Sequence, residues 1–297
     1  MNKTEKIMEA VHKALQGYTG EFGFGFYDFT SGEECYLRKE QSIPTASVFK
    51  IYLLTELFRQ VETGLISLDM PIAVTPETAA PGSGVLSRFH YPATLSVHDH
   101  AVLMMALSDN TATDRLFALV GGRDSILENV IRPLGLKATK VDLDCTQLIW
   151  NFYRDPVTKE KINGYNNPWF RCETELSDCS SPEDMVTILR ALHDATLLSR
   201  ESSDAVLALM DPIPQKARIA KYLPKDVRAA RKTGSLTGCL CNDAGVVYTP
   251  KGDYAIVTFY NGNVGTEEEY WREGSYRNGE ELLAQVSKAV YDIYMEA

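Results

Sequence analysis

Segments that predict β-strands lie near both ends of this 297-residue chain, and the segments between them predict helices. Residues 22–29 alternate glycine with aromatic side chains, and after a Thr-Ser-Gly turn residues 35–37 begin a return strand. Three further strands are predicted near the C-terminus, at residues 228–234, 244–249 and 254–260. A sheet stable in water needs three or more strands, so the two ends are expected to meet. The pattern therefore predicts one antiparallel sheet of about five strands.

Helices are predicted wherever apolar residues recur at helical spacing. Such spacing in residues 5–16 and 278–295 predicts terminal helices that flank the sheet. Capping residues and glycine stops predict four more helices, at residues 47–62, 96–107, 111–120 and 182–194. The expected fold class is therefore α/β, of the α+β type, with an all-helical lobe beside the sheet.

This order of elements also predicts how the chain divides into domains. We expect residues 1–44 and 211–297 to form a discontinuous α/β sheet domain, because the predicted strands lie there. Residues 45–210 are expected to form a helical domain. The interface between the two domains is the predicted place of the active site.

Composition and charge argue against several kinds of partner. A chain of this length with 44% apolar residues is long enough for one large domain or two interleaved ones. The net charge of −10 argues against nucleic acid and anionic membranes as partners. No run of apolar residues is long enough to predict a membrane span. We expect a small-molecule substrate and, since no signal for oligomerisation is visible, a monomer.

The N-terminus and the cysteines bear on the cellular compartment. Lys3 and Lys6 are not followed by the apolar core of a signal peptide. The sequence therefore favours the cytoplasm, or the exterior if an export segment has been removed. Without an export signal, the six cysteines are expected to be reduced thiols. The spacing of cysteine and histidine does not match a zinc site, and we expect neither a metal nor a cofactor.

The first motif that carries chemistry is Ser47-x-x-Lys50, the only S-x-x-K in the chain. On a helix, residues three apart point in the same direction. A serine hydroxyl becomes a good nucleophile when a base takes its proton. Burial lowers the pKa of a lysine towards neutrality, so Lys50 is predicted to be that base for Ser47. A helix N-terminus at Ser47 would also favour the negative charge that develops during the reaction.

The second motif is Ser108-Asp109-Asn110, which follows the end of a predicted helix. The Ser108 hydroxyl is placed to relay a proton to a departing amine nitrogen. Asn110 offers an amide that can bind the amide of a substrate.

The third motif is Lys232-Thr233-Gly234, on a predicted strand. Lys232 supplies a fixed positive charge. Gly234 is predicted to let a substrate approach the backbone closely. An acyl-amide substrate can then pair with the edge of the strand as an added strand would.

The three motifs, together with Pro44, the Pro-Gly-Ser-Gly-Val-Leu segment at residues 81–86 and Ser235, resemble class A β-lactamase-like serine hydrolases of the β-lactamase and penicillin-binding protein superfamily. The similarity covers most of the chain and implies a β-lactamase/transpeptidase-like fold. It implies that Ser47 is acylated, with Lys50 as its base and Ser108 as a proton shuttle, and that the backbone N–H groups of Ser47 and Ser235 stabilise the oxyanion. The substrate-binding residues that it implies are Asn110, Lys232, Thr233, Gly234 and Ser235.

The acid that completes the reaction in β-lactamases is harder to find in this sequence. Family members activate the deacylating water with a carboxylate in an E-x-x-L-N stretch. Here residues 173–177 read E-T-E-L-S, which makes Glu173 the predicted base. A long insertion at about residues 143–169 precedes it, and the chain can also be aligned so that Asp142 or Asp144 falls near the water.

The residue that would bind a substrate carboxylate is also hard to find. Family members usually carry an arginine for it on the strand after the third motif, and residues 239–243 contain none. Three functions therefore remain open. The first is a β-lactam hydrolase. The second is a related S-x-x-K esterase or D-alanyl-D-alanine peptidase with slow lactam turnover, and the third is a β-lactam-binding sensor that stays acylated. They differ mainly in the rate of deacylation.

Overall fold

The computed structural model describes residues 1–18, 20–162, 172–210, 217–236, 240–262 and 275–296, with the backbone alone at residues 275–278. Within these ranges none of the helices is both long and apolar enough to cross a bilayer. The α-helices there are α1 (Lys3–Ala14), α2 (Lys50–Glu62), α3 (Val97–Ala106), α4 (Asn110–Leu119), α5 (Gly122–Ile126), α6 (Cys145–Tyr153), α7 (Pro182–His193), α8 (Arg200–Leu209) and α9 (Ser275–Glu296). The strands there are β1 (Glu21–Asp28), β2 (Glu34–Leu37), β3 (Ile43–Pro44), β4 (Pro71–Val74), β5 (Ala93–Ser96), β6 (Cys179–Ser180), β7 (Arg228–Leu236), β8 (Leu240–Thr249) and β9 (Gly252–Asn261).

Five of the strands form one antiparallel sheet in the order β2-β1-β9-β8-β7. The N-terminal strand β1 pairs along its whole length with β9, from Glu21 opposite Asn261 to Asp28 opposite Tyr254. Among the described strands, β7 pairs only with β8 and so forms an edge of the sheet. The predicted α/β fold, with a five-stranded antiparallel sheet built from both ends of the chain, is confirmed. The division into two domains stays a prediction.

The glycine and aromatic alternation in β1 places Phe22, Phe24 and Phe26 on one face of the sheet and Gly23 and Gly25 on the other. Phe24 and Phe26 are fully buried in a core that includes α1 and α9. On the opposite face, a Cβ atom on Gly25 would lie 2.9 Å from Val186 Cγ2 and 3.2 Å from the Pro182 carbonyl oxygen. Successive strand residues point to opposite faces, so the glycines let α7 pack directly against the strand backbone.

The helices with capping residues begin where the sequence predicts. Ser96 Oγ accepts the Asp99 N–H, and the Asp99 carboxylate accepts the Ser96 N–H, which starts α3. Ser181 caps α7 by accepting the Asp184 N–H. Helices α6 and α8 are not predicted from the sequence, and α6 lies inside the segment interpreted above as an insertion.

The helix predicted at residues 47–62 begins as a 3₁₀ turn, Ala46–Phe49, and continues as α2. Most residues of α2 are buried, as its apolar composition indicates. The fold therefore buries the amine of Lys50, the first residue of α2, inside the protein.

The oxidation state of two cysteines differs from the prediction. Cys172 and Cys179 form a disulfide, with their Cα atoms 5.8 Å apart, so the expectation of six reduced thiols is wrong for this pair. Their proximity arises from a turn of the chain that the sequence pattern does not reveal. Cys35, Cys145 and Cys241 are free thiols. Cys239 lies outside the described residues.

Candidate active site

A cavity of about 480 Å³ lies between β7, the start of α4 and one side of α6. Residues from all three motifs line it, namely Ser47, Ser108, Asn110, Thr233 and Ser235. Apolar side chains form much of the rest of the wall, among them Leu148, Ile149, Tyr153 and Leu236. A concave, largely apolar space with a few convergent polar groups is typical of a site for a small molecule.

Ser47 lies in the 3₁₀ turn just before α2 and is half-buried. The preceding residue, Ala46, has a φ of 45°, in the left-handed region. A non-glycine residue there carries about 1–3 kcal/mol of strain, which is found most often at functional sites. Within the described part of the chain, no side-chain hydrogen bond holds the Ser47 hydroxyl. The hydroxyl is therefore available to a base and to a bound molecule.

Lys50 is fully buried, and its ammonium is held by the second motif. Lys50 Nζ donates to the Ser108 carbonyl oxygen at 2.8 Å, to Ser108 Oγ at 3.1 Å and to Asn110 Oδ1 at 3.1 Å. Burial lowers the pKa of Lys50, although Cys145 and Asp114 oppose this shift. The lysine therefore gives up its proton more easily than a lysine in water.

Ser108 joins this lysine to the third motif. Ser108 Oγ accepts a second hydrogen bond, at 3.1 Å, from Lys232 Nζ, which also donates to the Thr233 carbonyl oxygen at 2.8 Å. Burial, with the nearby charges of Lys50 and Arg218, lowers the pKa of Lys232 well below its ordinary value. One hydroxyl thus contacts two buried amines, an arrangement through which a proton can pass.

The loop before the second motif fixes Asn110. The Asn110 N–H donates to the Ser83 carbonyl oxygen at 2.9 Å, and Asn110 Nδ2 donates to the Pro81 carbonyl oxygen at 2.8 Å. Ser83 Oγ donates to the Ser108 carbonyl oxygen at 2.8 Å. The Asn110 amide, predicted to bind substrate, therefore also holds Lys50 in place while it lines the cavity.

Strand β7 brings the third motif against the turn that carries the nucleophile. Thr233 and Ser235 line the cavity, whereas Gly234 is buried. A Cβ atom on Gly234 would lie 2.4 Å from the Thr45 carbonyl oxygen and 3.1 Å from Val48 N. Gly234 thus permits the close approach of the protein's own backbone, and its part in admitting a substrate stays a prediction.

A buried asparagine that the motifs do not include fixes the same turn to the sheet. Asn242 Nδ2 donates to the carbonyl oxygens of Pro44 and Thr45, at 2.9 and 3.1 Å. Its Oδ1 accepts the Tyr260 N–H at 3.0 Å. All of these groups are buried, so the contacts hold the start of α2 at a fixed distance from β8 and β9.

The model of the beta-lactamase enzyme family matches residues 5–294 of this chain. The chain belongs to the beta-lactamase enzyme family. The β-lactamase VEB-1 of Pseudomonas aeruginosa is 20% identical to it over 303 residues, which cover 99% of this chain and 92% of VEB-1. The β-lactamase regulatory protein BlaB of Streptomyces cacaoi is 31% identical over 140 residues, or 46% of this chain and 44% of BlaB. The crystal structure of a β-lactamase from Sphaerobacter thermophilus matches with a TM-score of 0.80 at 26% identity, covering 99% of this chain and 98% of that one.

Membership of the beta-lactamase family confirms the resemblance inferred from the motifs, and the similar structures confirm the β-lactamase/transpeptidase-like fold. The acid expected for deacylation, however, is not at the cavity. Glu173 is exposed and is not among the lining residues. Asp142 pairs with Arg123 at 2.9 Å, and Asp144 caps α6 by accepting the Gln147 N–H at 2.7 Å.

The position of Glu173 has a local cause. The disulfide closes the short loop that carries it, and Lys140 Nζ donates to the Thr174 carbonyl oxygen within that loop. Asn151 Nδ2 donates to the Leu176 carbonyl oxygen at 3.3 Å. The loop is thus held by its backbone, and its first acid points to solvent. Among the described residues that line the cavity, Asp178 is the one carboxylic acid.

A buried arginine from a segment outside the three motifs lies against the C-terminal part of β7. Arg218 is 3% exposed, and its Nη1 donates to the carbonyl oxygens of Gly234 and Asn242 at 2.9 and 2.7 Å. Its Nη2 donates to Ser235 Oγ at 2.5 Å. A buried positive charge therefore lies directly behind a cavity-lining hydroxyl. No motif surrounds residue 218, so only the fold reveals it.

Proposed function

We propose that this protein hydrolyses β-lactams through an ester on Ser47. The observation that carries the proposal is the Ser108 hydroxyl, which accepts hydrogen bonds from Lys50 and Lys232 at 3.1 Å each, at the cavity that Ser47 lines. A serine, two buried amines and a hydroxyl that bridges them are the groups needed for acyl transfer to a serine.

Acylation uses these groups in order. Neutral Lys50 takes the Ser47 proton, and Ser47 Oγ bonds to the carbonyl carbon of the lactam. Backbone N–H groups of Ser47 and Ser235 stabilise the negative charge on the carbonyl oxygen. As the ring C–N bond breaks, Ser108 gives its proton to the nitrogen and receives one from Lys50. The products are an ester on Ser47 and a free amine in the opened ring.

The cavity suits a substrate that carries both an acyl-amide and a carboxylate. Beyond Arg231, whose N–H donates to the Met210 carbonyl oxygen, the edge of β7 can pair with the amide as an added strand would. Arg218 supplies positive charge behind Ser235, and the hydroxyls of Thr233 and Ser235 line the cavity where a carboxylate would bind. The apolar wall around Ile149 accommodates an apolar side group of the lactam.

A direct experiment tests this function. The protein is mixed with a penicillin and, separately, with a cephalosporin, the absorbance of the lactam is followed, and an intact mass is then measured. Turnover without a lasting adduct supports hydrolysis. Cleavage of a nitrophenyl ester without any reaction with lactams would move the assignment to an esterase, and inertness towards both would overturn it.

We expect the Arg218→Leu variant to bind carboxylated lactams more weakly. A charge-assisted hydrogen bond contributes about 1.5–3 kcal/mol, so kcat/KM for a penicillin should fall by about 10- to 100-fold, mainly through KM. Hydrolysis of a neutral nitrophenyl ester by the same variant is the control, and it should change by less than about 3-fold. An equal loss on both substrates would mean that Arg218 only supports the backbone of β7.

The second candidate is a protein that remains acylated. The position of Glu173 favours it, because this expected acid is exposed and does not line the cavity where the ester would form. The relative BlaB is a β-lactamase regulatory protein, for which a lasting acylated form would be suitable. An adduct on Ser47 that survives for hours would identify this case. The monomeric state, the cytoplasmic location and a site at the interface of two domains stay predictions.

A further inference from the structure

We propose that Asp178, and not Glu173, activates the water that hydrolyses the Ser47 ester, and that this makes the lifetime of the acyl-enzyme depend on pH. The inference rests on the proposed function. It concerns the second half of the reaction and leaves the acylation step as described.

The backbone holds Asp178 close to the nucleophile. The Thr45 N–H and Thr45 Oγ1 both donate to the Asp178 carbonyl oxygen, at 3.0 and 3.2 Å. Next to this contact, Pro44 of β3 pairs with Cys179 of β6. Thr45 is two residues before Ser47, so the short β3–β6 ladder holds the segment of Asp178 beside the segment of Ser47. Asp178 and Ser47 line the same cavity.

The two carboxyl oxygens of Asp178 have different surroundings. The side chain is buried, with the residue 1% exposed. Oδ1 accepts the N–H groups of Asp142 and Leu143 at 2.9 and 3.2 Å. Oδ2 is also buried, and it has no hydrogen-bond partner among the described residues. One oxygen is thus anchored, and the other is a buried acceptor without a described partner, on a residue that lines a cavity of suitable size for a substrate and a water.

The charged groups that act on Asp178 are Asp142 and Lys140, before α6, and the Cys145 thiol of α6 lines the same cavity. Burial, helped by the nearby Asp142 carboxylate, raises the pKa of Asp178 to about 8. The backbone hydrogen bonds and Lys140 oppose the shift. Burial also raises the pKa of Cys145 to about 12, so this thiol is neutral and adds no charge. Asp178 is therefore mostly protonated at pH 7 and becomes ionised as the pH rises through about 8.

The chemistry balances as the addition of one water to the ester. Ionised Asp178 Oδ2 takes a proton from a water whose oxygen bonds to the acyl carbon. The ester bond between that carbon and Ser47 Oγ then breaks. The proton held by Asp178 then passes to Ser47 Oγ as the ester bond breaks, which restores the free enzyme. Only the ionised form of Asp178 can begin this step.

The first test separates acylation from deacylation in the Asp178→Asn variant. Asparagine keeps an oxygen for the two backbone N–H groups but cannot take a proton. With a penicillin, we expect the adduct on Ser47 to form within about 3-fold of the wild-type rate and to decay about 10²- to 10⁴-fold more slowly. Glu175→Gln, in the same loop but exposed, is the matched control and should keep the wild-type decay rate.

Two results would overturn the inference while leaving the proposed function intact. One is normal decay of the adduct in Asp178→Asn. The other is accumulation of the adduct in Glu173→Gln, which would restore the acid expected from the motif. A wild-type protein that never forms an adduct on Ser47 would overturn the proposed function and this inference together.

A second measurement uses the wild-type protein and does not depend on whether a variant folds. The decay rate of the Ser47 adduct is followed from pH 6 to pH 9. If ionised Asp178 is the base, the rate rises about 50-fold between pH 6 and pH 8 and levels off above that. A decay rate that is flat over this range would contradict the proposal, because it would require a base that is already ionised at pH 6.

Discussion

Replacing Ser47 by alanine is expected to lower β-lactam turnover by at least about 10⁴-fold and to prevent any covalent adduct. The hydroxyl is the only group of this residue that can form the ester, and it has no side-chain hydrogen bond within the described part of the chain. Its removal should therefore change the free energy of unfolding by no more than about 0.5 kcal/mol. Lactam absorbance, intact mass and thermal unfolding measure the three effects.

The control for this variant is Ser67→Ala, which removes an exposed hydroxyl far from the motifs in sequence. It should keep wild-type turnover. If Ser47→Ala retained turnover, or if the adduct formed on another residue, the assignment of the nucleophile would be wrong. If it unfolded, the turn before α2 would depend on the hydroxyl in a way that the hydrogen bonds do not indicate.

Replacing Lys50 by methionine is expected to slow acylation by about 10²- to 10⁴-fold, the usual contribution of a general base. Methionine has similar length and fills the buried space, but it can neither take the Ser47 proton nor donate to Ser108. Stopped-flow measurement of adduct formation gives the rate. Lys251→Met, which removes an exposed lysine in the β8–β9 turn, is the matched control and should acylate normally.

The pH dependence of acylation gives a second test of Lys50. The neutral amine is the form that accepts a proton, so acylation slows as the pH falls through the pKa of Lys50. Because burial lowers this pKa, the loss should begin at a pH below the ordinary value for lysine. Wild-type rates that are unaffected by acid, or a Lys50→Met variant that acylates normally, would assign the base to another group.

The regular elements were predictable because their residues repeat with the period of the structure. The Ser96 capping box and the Ser181 cap mark helix starts by contacts that are local in sequence. The glycine and aromatic alternation of β1 predicts a strand with one bulky face. Helix α6 also begins at a local capping box, Asp144 with Gln147, and it was not predicted because its segment was interpreted as an insertion.

Contacts between residues distant in sequence could not be predicted in the same way. Arg218 reaches Ser235 only because the segment that carries it packs against β7. Asp178 lies at the cavity because its backbone pairs with Thr45, more than a hundred residues earlier. The Cys172–Cys179 disulfide likewise depends on the path of a loop.

The sequence by itself determined the family, the antiparallel sheet and the residues of the three motifs, because short spacings on helices and strands fix which side chains lie together. Only the tertiary structure decided which carboxylic acid lines the cavity, Asp178 and not Glu173. An irregular loop has no period, so the direction of an acid such as Glu173 or Asp178 depends on the backbone hydrogen bonds and the disulfide that hold the loop, and these are made with distant parts of the chain.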